Sequence, residues 1–404
     1  MSVVSDFFQF QNGYAFKSKE FEADGAYKII RIKELKDGVV RFFDDTATIT
    51  PSDDFDIEKY LVKKGDVLFA LTGDPVNKPN PLSWVGRVSV YNHDEPALLN
   101  QRVCKVVPTT NIDPRYLYYF FRQDQEFYEL AAKATGSASQ ANISTKTIEQ
   151  HTISMPKRES TEKVIITMGK FDEGIDVYEK MVAAIEAQIN ALYVAMFETF
   201  ELIEDEKVET ELGVIPKTWE IQELQSVTEN IRDRVGEENY RVLSAINTGE
   251  LIPSDEHFSK QVYSKDISKY ICVRENDIAY NPARVNIGSI GINDLGYVGC
   301  VSPVYVVVRP EKGYHNYMKY FVRSNRFHEE VLTRASGSVR QSMNYCDFGL
   351  IKVAYPPRDI VEKFNGYVNP LLDAVHYLNK KANGLKEIRE TLLPKLIADA
   401  CVSE

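Results

Sequence analysis

Cysteine is scarce in this 404-residue chain: Cys104, Cys272, Cys300, Cys346 and Cys401 make an odd set with no Cys-x-x-Cys. A disulfide framework is excluded on that count, and buried thiols in a cytoplasmic protein are the plain expectation. Long apolar runs are absent too, so no segment reads as a membrane span. The opening "MSVVSDFFQFQNG" lacks a basic region followed by an apolar run, which argues against a secretory signal. The six histidines stand apart at positions 93, 151, 257, 315, 328 and 376, without the pairing that a metal site needs. No G-x-x-x-x-G-K-S/T is present, so ATP hydrolysis has no P-loop; "GSIGINDLGYVG" and "TGDP" lack the lysine. The piece nearest to an adenine-methylase loop, Asn281-Pro282-Ala283-Arg284, lacks the second proline and the aromatic residue, and reads as a turn after a strand. No carboxylate cluster suggests a nuclease, and no metal, cofactor or catalytic residue is expected in this chain.

The formal net charge of -11 would normally disfavour a nucleic-acid partner. Its placement changes that inference. Residues 1–160 carry 20 basic and 22 acidic side chains, residues 161–220 carry 5 and 14, and residues 221–404 carry 23 of each. The excess acid therefore sits in one short segment between two nearly neutral bodies.

The chain repeats itself. At an offset of 201, Tyr116, Tyr119, Phe120 and Arg122 fall on Tyr317, Tyr320, Phe321 and Arg323. Gly136, Ser137 and Gln140 fall on Gly337, Ser338 and Gln341, and Pro156 falls on Pro357. Farther back, "YLVKKGDVLFA" (60–70) resembles "YICVRENDIAY" (270–280) after a drift that loop insertions explain. Each copy opens with short β-type runs ("YKIIRI", "VLFAL", "QRVCKVV"; then "KYICV", "DIAYN", "PVYVVV"). A helix follows, "PRYLYYFFRQDQEFYELAAKA" or "HNYMKYFVRSNRFHEEVLTRA", then a Gly-Ser loop, a short strand and a long helix.

The long helices carry the clearest pattern. Phe171, Ile175, Tyr178, Val182, Ile185, Ile189, Leu192 and Met196 alternate at spacings of 4 and 3. Phe364, Val368, Leu371, Val375, Leu378, Ala382 and Leu385 keep the same rhythm until Arg389 interrupts it, and Leu392 and Leu396 resume it. Two such seams predict a paired coiled coil, with thirty residues making a rod of about 45 Å. The expected fold class is α+β: two tandemly repeated globules separated by a pair of long antiparallel coiled-coil helices.

Two similar globules on a rod suit recognition of two segments of DNA by polar side chains on loops. The first offers Lys17, Lys19, Arg31, Lys33, Arg41, Trp84, Arg87, Gln101 and Arg102, with Gly136, Ser137 and Gln140 of the repeated loop. The second offers Arg274, Asn281, Arg284, Asn286, Arg334, Arg340 and Asn344, with Gly337, Ser338 and Gln341. The Gly-Ser-x-x-Gln loop invites close approach of backbone amides to a phosphate. A helix C-cap with Gly136 and Gly337 in the left-handed region is the alternative.

The chain resembles the specificity (S) subunits of type I restriction-modification systems. The resemblance rests on "FQFQNGYAFKSKEF", "GDVLFALTGD", "TGSASQANISTKTIEQHTISMP" with its counterpart "ASGSVRQSMNYCDFGLIKVAYPP", "TELGVIPKTWE" and "LKEIRETLLPKL". It implies a non-catalytic subunit with target-recognition domains at 1–156 and 221–357, spacer helices at 160–203 and 358–399, and an acidic connector at 204–220. Each domain would read one half of a bipartite, asymmetric target in double-stranded DNA. Two modification (methyltransferase) subunits using S-adenosylmethionine, and restriction (helicase-nuclease) subunits using ATP and Mg2+, would dock on it. One departure is that the Pro-x-x-Trp lead-in of "GVIPKTWEIQEL" has no counterpart before the first domain. Three other readings stay open: a protein scaffold, a nuclease with a dispersed site, and the recognition subunit of a methylation-only system.

Overall fold

The computed structural model describes residues 2–76, 84–137, 140–246, 249–257, 263–334 and 342–402. The chain divides into two compact units, one of residues 1–178 with 381–404 and the other of residues 179–380.

In the first unit, a six-stranded sheet runs Phe8–Asn12, Val103–Pro108, Val67–Ala70, Val88–Val90, Val39–Val40, Leu35–Lys36. A second sheet runs Thr48–Ile49, Tyr27–Ile30, Ala97–Leu99, Leu61–Val62. Strand Val67–Ala70 explains why these runs are apolar at every position. Successive side chains point to opposite faces. Val67 and Phe69 enter one core with the helices, while Leu68 and Ala70 enter another that also holds Ile30, Val62 and Leu99 of the second sheet. A strand buried on both faces needs no polar side.

The second unit builds the same pair of sheets. One runs Thr228–Ile231, Val306–Pro310, Ile278–Tyr280, Ile290–Ile292, and the other runs Leu251–Pro253, Arg241–Ala245, Gly299–Val301, Ile271–Val273. The second of these matches the first unit's four-stranded sheet strand for strand. The first matches the leading four strands of the six-stranded sheet, including the antiparallel partners Val103↔Ala70 and Val306↔Tyr280, without counterparts of Val39–Val40 and Leu35–Lys36 among the described residues. Ile278 and Tyr280 face the helical core and Ala279 the other, as in Val67–Ala70. The sequence repeat is thus a repeat of tertiary structure within each unit.

The helix expected after the sheets is two helices in both copies. These are α1 (Arg115–Phe121) and α2 (Asp124–Ala132) in the first unit, with α4 (His315–Phe321) and α5 (Asn325–Arg334) in the second; α3 (Arg158–Tyr193) and α6 (Arg358–Val402) are the long helices. The break falls at Gln123 and Ser324, which stand 201 residues apart. Gln123 takes an extended backbone (φ -72°, ψ 132°). Ser324 donates its hydroxyl to the Phe321 carbonyl and accepts from the Phe327 amide, capping the second helix. The corner turns Tyr116 and Tyr317 inward, where their hydroxyls bond the carbonyls of Ser154 and Ala354.

The long helices pack together through their apolar seams. No seam residue of either helix is exposed, whereas the positions between them largely are. In the first unit Gly174 makes room for Leu385: a Cβ there would lie 3.0 Å from Leu385 Cδ1. In the second, Phe364 of α6 meets the rings of Tyr193 and Phe197. α3 gives way to a π turn at Val194–Glu198, and the chain then leaves the helix through Phe200 at φ +57°. Residues Lys207–Thr210 and Gly213–Pro216 of the acidic connector form a hairpin, and Trp219 beyond it packs on Phe197 and Phe200.

Candidate nucleic-acid interface

In the first unit the chain leaving strand Val67–Ala70 meets the chain entering a short helix at Thr145–Glu149. The Ile143 amide donates to the Leu71 carbonyl, and Gln140–Asn142 pairs with both Thr72–Gly73 and Thr135–Ser137. Gly136 sits within this exposed hairpin, opposite Ala141. Its φ of +148° and the Gln140 carbonyl, which a Cβ would overlap, explain why glycine stands there. The left-handed helix cap considered from the sequence is therefore incorrect for Gly136: the chain closes as a β-hairpin instead. Ser137 and Gln140 face each other at the hairpin's end.

Arg102 reaches the same place from the turn before Val103. Its guanidinium lies 3.5 Å from Thr72 Oγ1 and 3.4 Å from Asn142 Oδ1, and the Thr72 hydroxyl donates to that same amide oxygen at 2.8 Å. With Asn142 Oδ1 engaged by Thr72, the exposed guanidinium of Arg102 is the cluster's charged donor. Such a donor suits phosphate oxygens or the acceptor edge of a base. Gln101, also exposed, adjoins it, held by its backbone amide on the Tyr14 carbonyl.

In the second unit the corresponding turn is Asn281–Ile287. The Met343 amide donates to the Pro282 carbonyl, as Ile143 does to Leu71. Arg284 is exposed there beside Asn286. Asn344 accepts from the amides of Cys346 and Asp347, capping the short helix Tyr345–Gly349. Gly337, Ser338, Arg340 and Gln341 lie outside the described residues.

The other candidates are not gathered into these clusters. Arg31 and Lys33 pair with Glu34, whose side chain is fully buried, and Lys33 also pairs with Asp45. Lys17 and Lys19 are exposed around a turn at Ser18–Glu20, and Arg41 is exposed elsewhere in the unit. Trp84 is buried against Phe127 and Tyr128. Arg87 lines a cavity of about 360 Å³ with Ser89, Arg122 and Glu390, where burial lowers its pKa against the opposing pull of Asp74. Arg274 faces Asp233, and Arg334 bonds Glu330 and the Leu350 carbonyl.

Thr72 and Asn142 escaped the sequence reading, although Asn142 stands two residues before Ser144, the cap of the short helix. One group among the described residues, Glu126, Glu129 and His151, brings potential metal ligands within 4.8 Å. Both ring nitrogens of His151 are already engaged, Nε2 with Glu126 at 3.0 Å and Nδ1 with the Lys133 ammonium at 3.2 Å. That arrangement is a buried polar network rather than an open coordination site. No helix among the described residues is long and apolar enough to cross a membrane.

The molecule thus combines repeated α+β units with two long helices packed together. Residues 1–187 match the family described as the type I restriction modification DNA specificity domain. The type I restriction enzyme MjaIX specificity subunit of Methanocaldococcus jannaschii is 23% identical, over 78% of this chain and 74% of its own. The MjaX specificity subunit of the same organism, itself described as putative, is 21% identical over 92% and 86%. The solved S subunit of a type I restriction-modification system from M. genitalium shares the fold, with a TM-score of 0.53, 14% identity and coverage of 98% and 94%. Over most of its length the chain is thus similar to type I restriction enzyme specificity subunits, and its residues 1–187 match their DNA specificity domain.

Proposed function

We propose that the chain reads a bipartite, asymmetric sequence in double-stranded DNA, one half with each repeat. Residues 1–156 and 221–357 are the recognition domains, residues 160–203 and 358–399 the spacer that sets the gap, and 204–220 the connector. The observation that carries this reading is the repetition of a four-stranded sheet and of four strands of the larger sheet in the same order, with the Ile143–Leu71 backbone tie of the first unit matched by Met343–Pro282 in the second. Phosphate contacts by the exposed basic residues fix register, and a few side chains on the loops read base edges. Two modification subunits binding S-adenosylmethionine, and restriction subunits using ATP and Mg2+, dock on this frame in the cytoplasm.

The test is a map of adenine methylation in cells expressing the chain with the methylase encoded beside it, against cells lacking the chain. A new two-part motif with one fixed gap is expected. An unchanged map, with folded methylase present, overturns the reading and favours a protein scaffold.

Within the interface, Arg102 serves as a phosphate anchor. Arg102→Ala is expected to weaken binding of the assembled complex by about 1.5–3 kcal/mol, the worth of hydrogen bonds to a charged group. The loss falls evenly on all target sequences, and the salt slope of binding shrinks by about one. Titrations at several salt concentrations measure both. A loss confined to targets with one particular base would make Arg102 a base reader instead.

A further inference from the structure

Arg389 occupies a seam position of α6, four residues after Leu385 and three before Leu392, where every neighbour in the pattern is apolar. It is only 8% exposed. Its Nη1 donates to Asp172 Oδ1 of α3 at 2.6 Å, and the second oxygen of Asp172 accepts from Tyr119 of α1 at 2.7 Å. One carboxylate thus joins both long helices and the first helix after the sheets, all inside the first unit. The neighbouring seam positions on α3 are Met168, Phe171 and Ile175.

From this geometry we infer that Tyr119, Asp172 and Arg389 form a register lock, a set of positioning residues that keeps the methylated gap to a single length. An apolar seam alone tolerates slippage, since a leucine displaced by one turn still meets an apolar neighbour. A buried charge does not. Sliding α6 by one turn would set the Arg389 guanidinium against Phe171 or Met168 and leave Asp172 without its partner. A single polar position in a seam fixes register in this way, at some cost in stability. The seat of Leu385 over Gly174 reinforces the same alignment. In the second unit α4 is tied to α6 through neutral amides instead: Asn316 donates to Asn365 and Asn369 at 2.9 and 2.7 Å. Between α3 and α6 themselves the second unit has ring contacts of Phe364 with Tyr193 and Phe197, so Arg389–Asp172 is the charged link between the long helices.

The inference rests on the proposed reading of the helices as a spacer, so it is tested on two independent readouts. The first is the methylation map of the assembled complex carrying Asp172→Leu with Arg389→Met. These substitutions replace the ion pair by apolar side chains of similar bulk. The bases of both half-sites are expected to stay the same, while methylation at sites with a gap one base pair longer or shorter rises about tenfold, within the range of one coupled charged network. A single gap retained by the folded double variant overturns the lock. If even the parent chain directs no two-part motif, the proposed function fails, and the lock is then judged by the second readout alone. That readout is the distance between spin labels at Val177 and Ile388, both exposed and both in the first unit, in a chain with Cys346 and Cys401 replaced by serine. The parent should give one narrow distribution, and the double variant a second population displaced by about one helical turn, 5.4 Å. One unchanged population in the variant overturns the lock. Should the double variant fail to fold, Asp172→Asn is scored on both readouts with the same criteria, and Arg389→Lys alone, which keeps the charge opposite Asp172, is expected to retain a single gap.

Discussion

Phe364→Ala is expected to lower the stability of the second unit by about 3–5 kcal/mol, the usual cost of emptying an aromatic site in a core. Phe364 has no exposed surface, and its ring lies 4.9 Å from that of Phe197 and 6.3 Å from those of Tyr193 and Tyr320. It therefore joins both long helices to α4 inside one cluster, and the surrounding rings are too stiff to collapse into the space. Urea unfolding monitored by near-ultraviolet circular dichroism measures the loss. Tyr367→Ala, one turn away on the same helix but 54% exposed, is the control and should stay within about 0.5 kcal/mol of the parent. Equal effects at the two positions would mean that α6 does not bury the face described above.

The second large effect is alkaline. Burial pushes Tyr91, Tyr118 and Tyr320 up to about 12, with Glu95 adding to the shift at Tyr91 and Arg323 opposing it at Tyr320. The unfolded chain ionises its tyrosines near pH 10. Between those values the folded state holds protons that the unfolded state has released, so stability falls as pH rises. Below pH 10 all three are protonated in both states, and their contribution is constant. The expected result is a cooperative loss of structure between pH 10 and 12, with late tyrosinate absorbance appearing in step with unfolding. A titration in which all 23 tyrosines ionise near pH 10, with the circular dichroism unchanged, would contradict this burial.

The strands were legible because a segment such as Val67–Ala70, packed on both faces, must be apolar throughout. The long helices were legible because their seams keep one spacing for many turns. The break between α1 and α2 was not, because Arg122 and Gln123 carry neither proline nor glycine, and the corner depends on a backbone conformation at Gln123. Within the candidate interface, Arg102, Gly136 and Gln140 announced themselves by type and repetition. Their neighbours Thr72 and Asn142 did not, since a threonine and an asparagine in loops are ordinary until tertiary structure brings them to one oxygen atom. Exposure was the hardest property to foresee. Trp84 stood among the candidate DNA contacts and is core, while Arg31 and Lys33, candidates too, pair with buried Glu34. The interruption at Arg389 was visible in the seam, but its partner lies 217 residues away, beyond any local pattern.

The first unit takes its last piece from the far end of the chain, residues 381–404, which bring Leu393, Ile397 and Ala400 into its core along with Arg389. A ribosome adding about 5–20 residues per second needs roughly ten to forty-five seconds to travel from residue 178 to the end. Throughout that interval the nascent first unit has an apolar flank around Met168 and Phe171 with nothing yet made to cover it. The second unit, continuous in sequence, has no such wait. Order of synthesis and order of completion are therefore reversed.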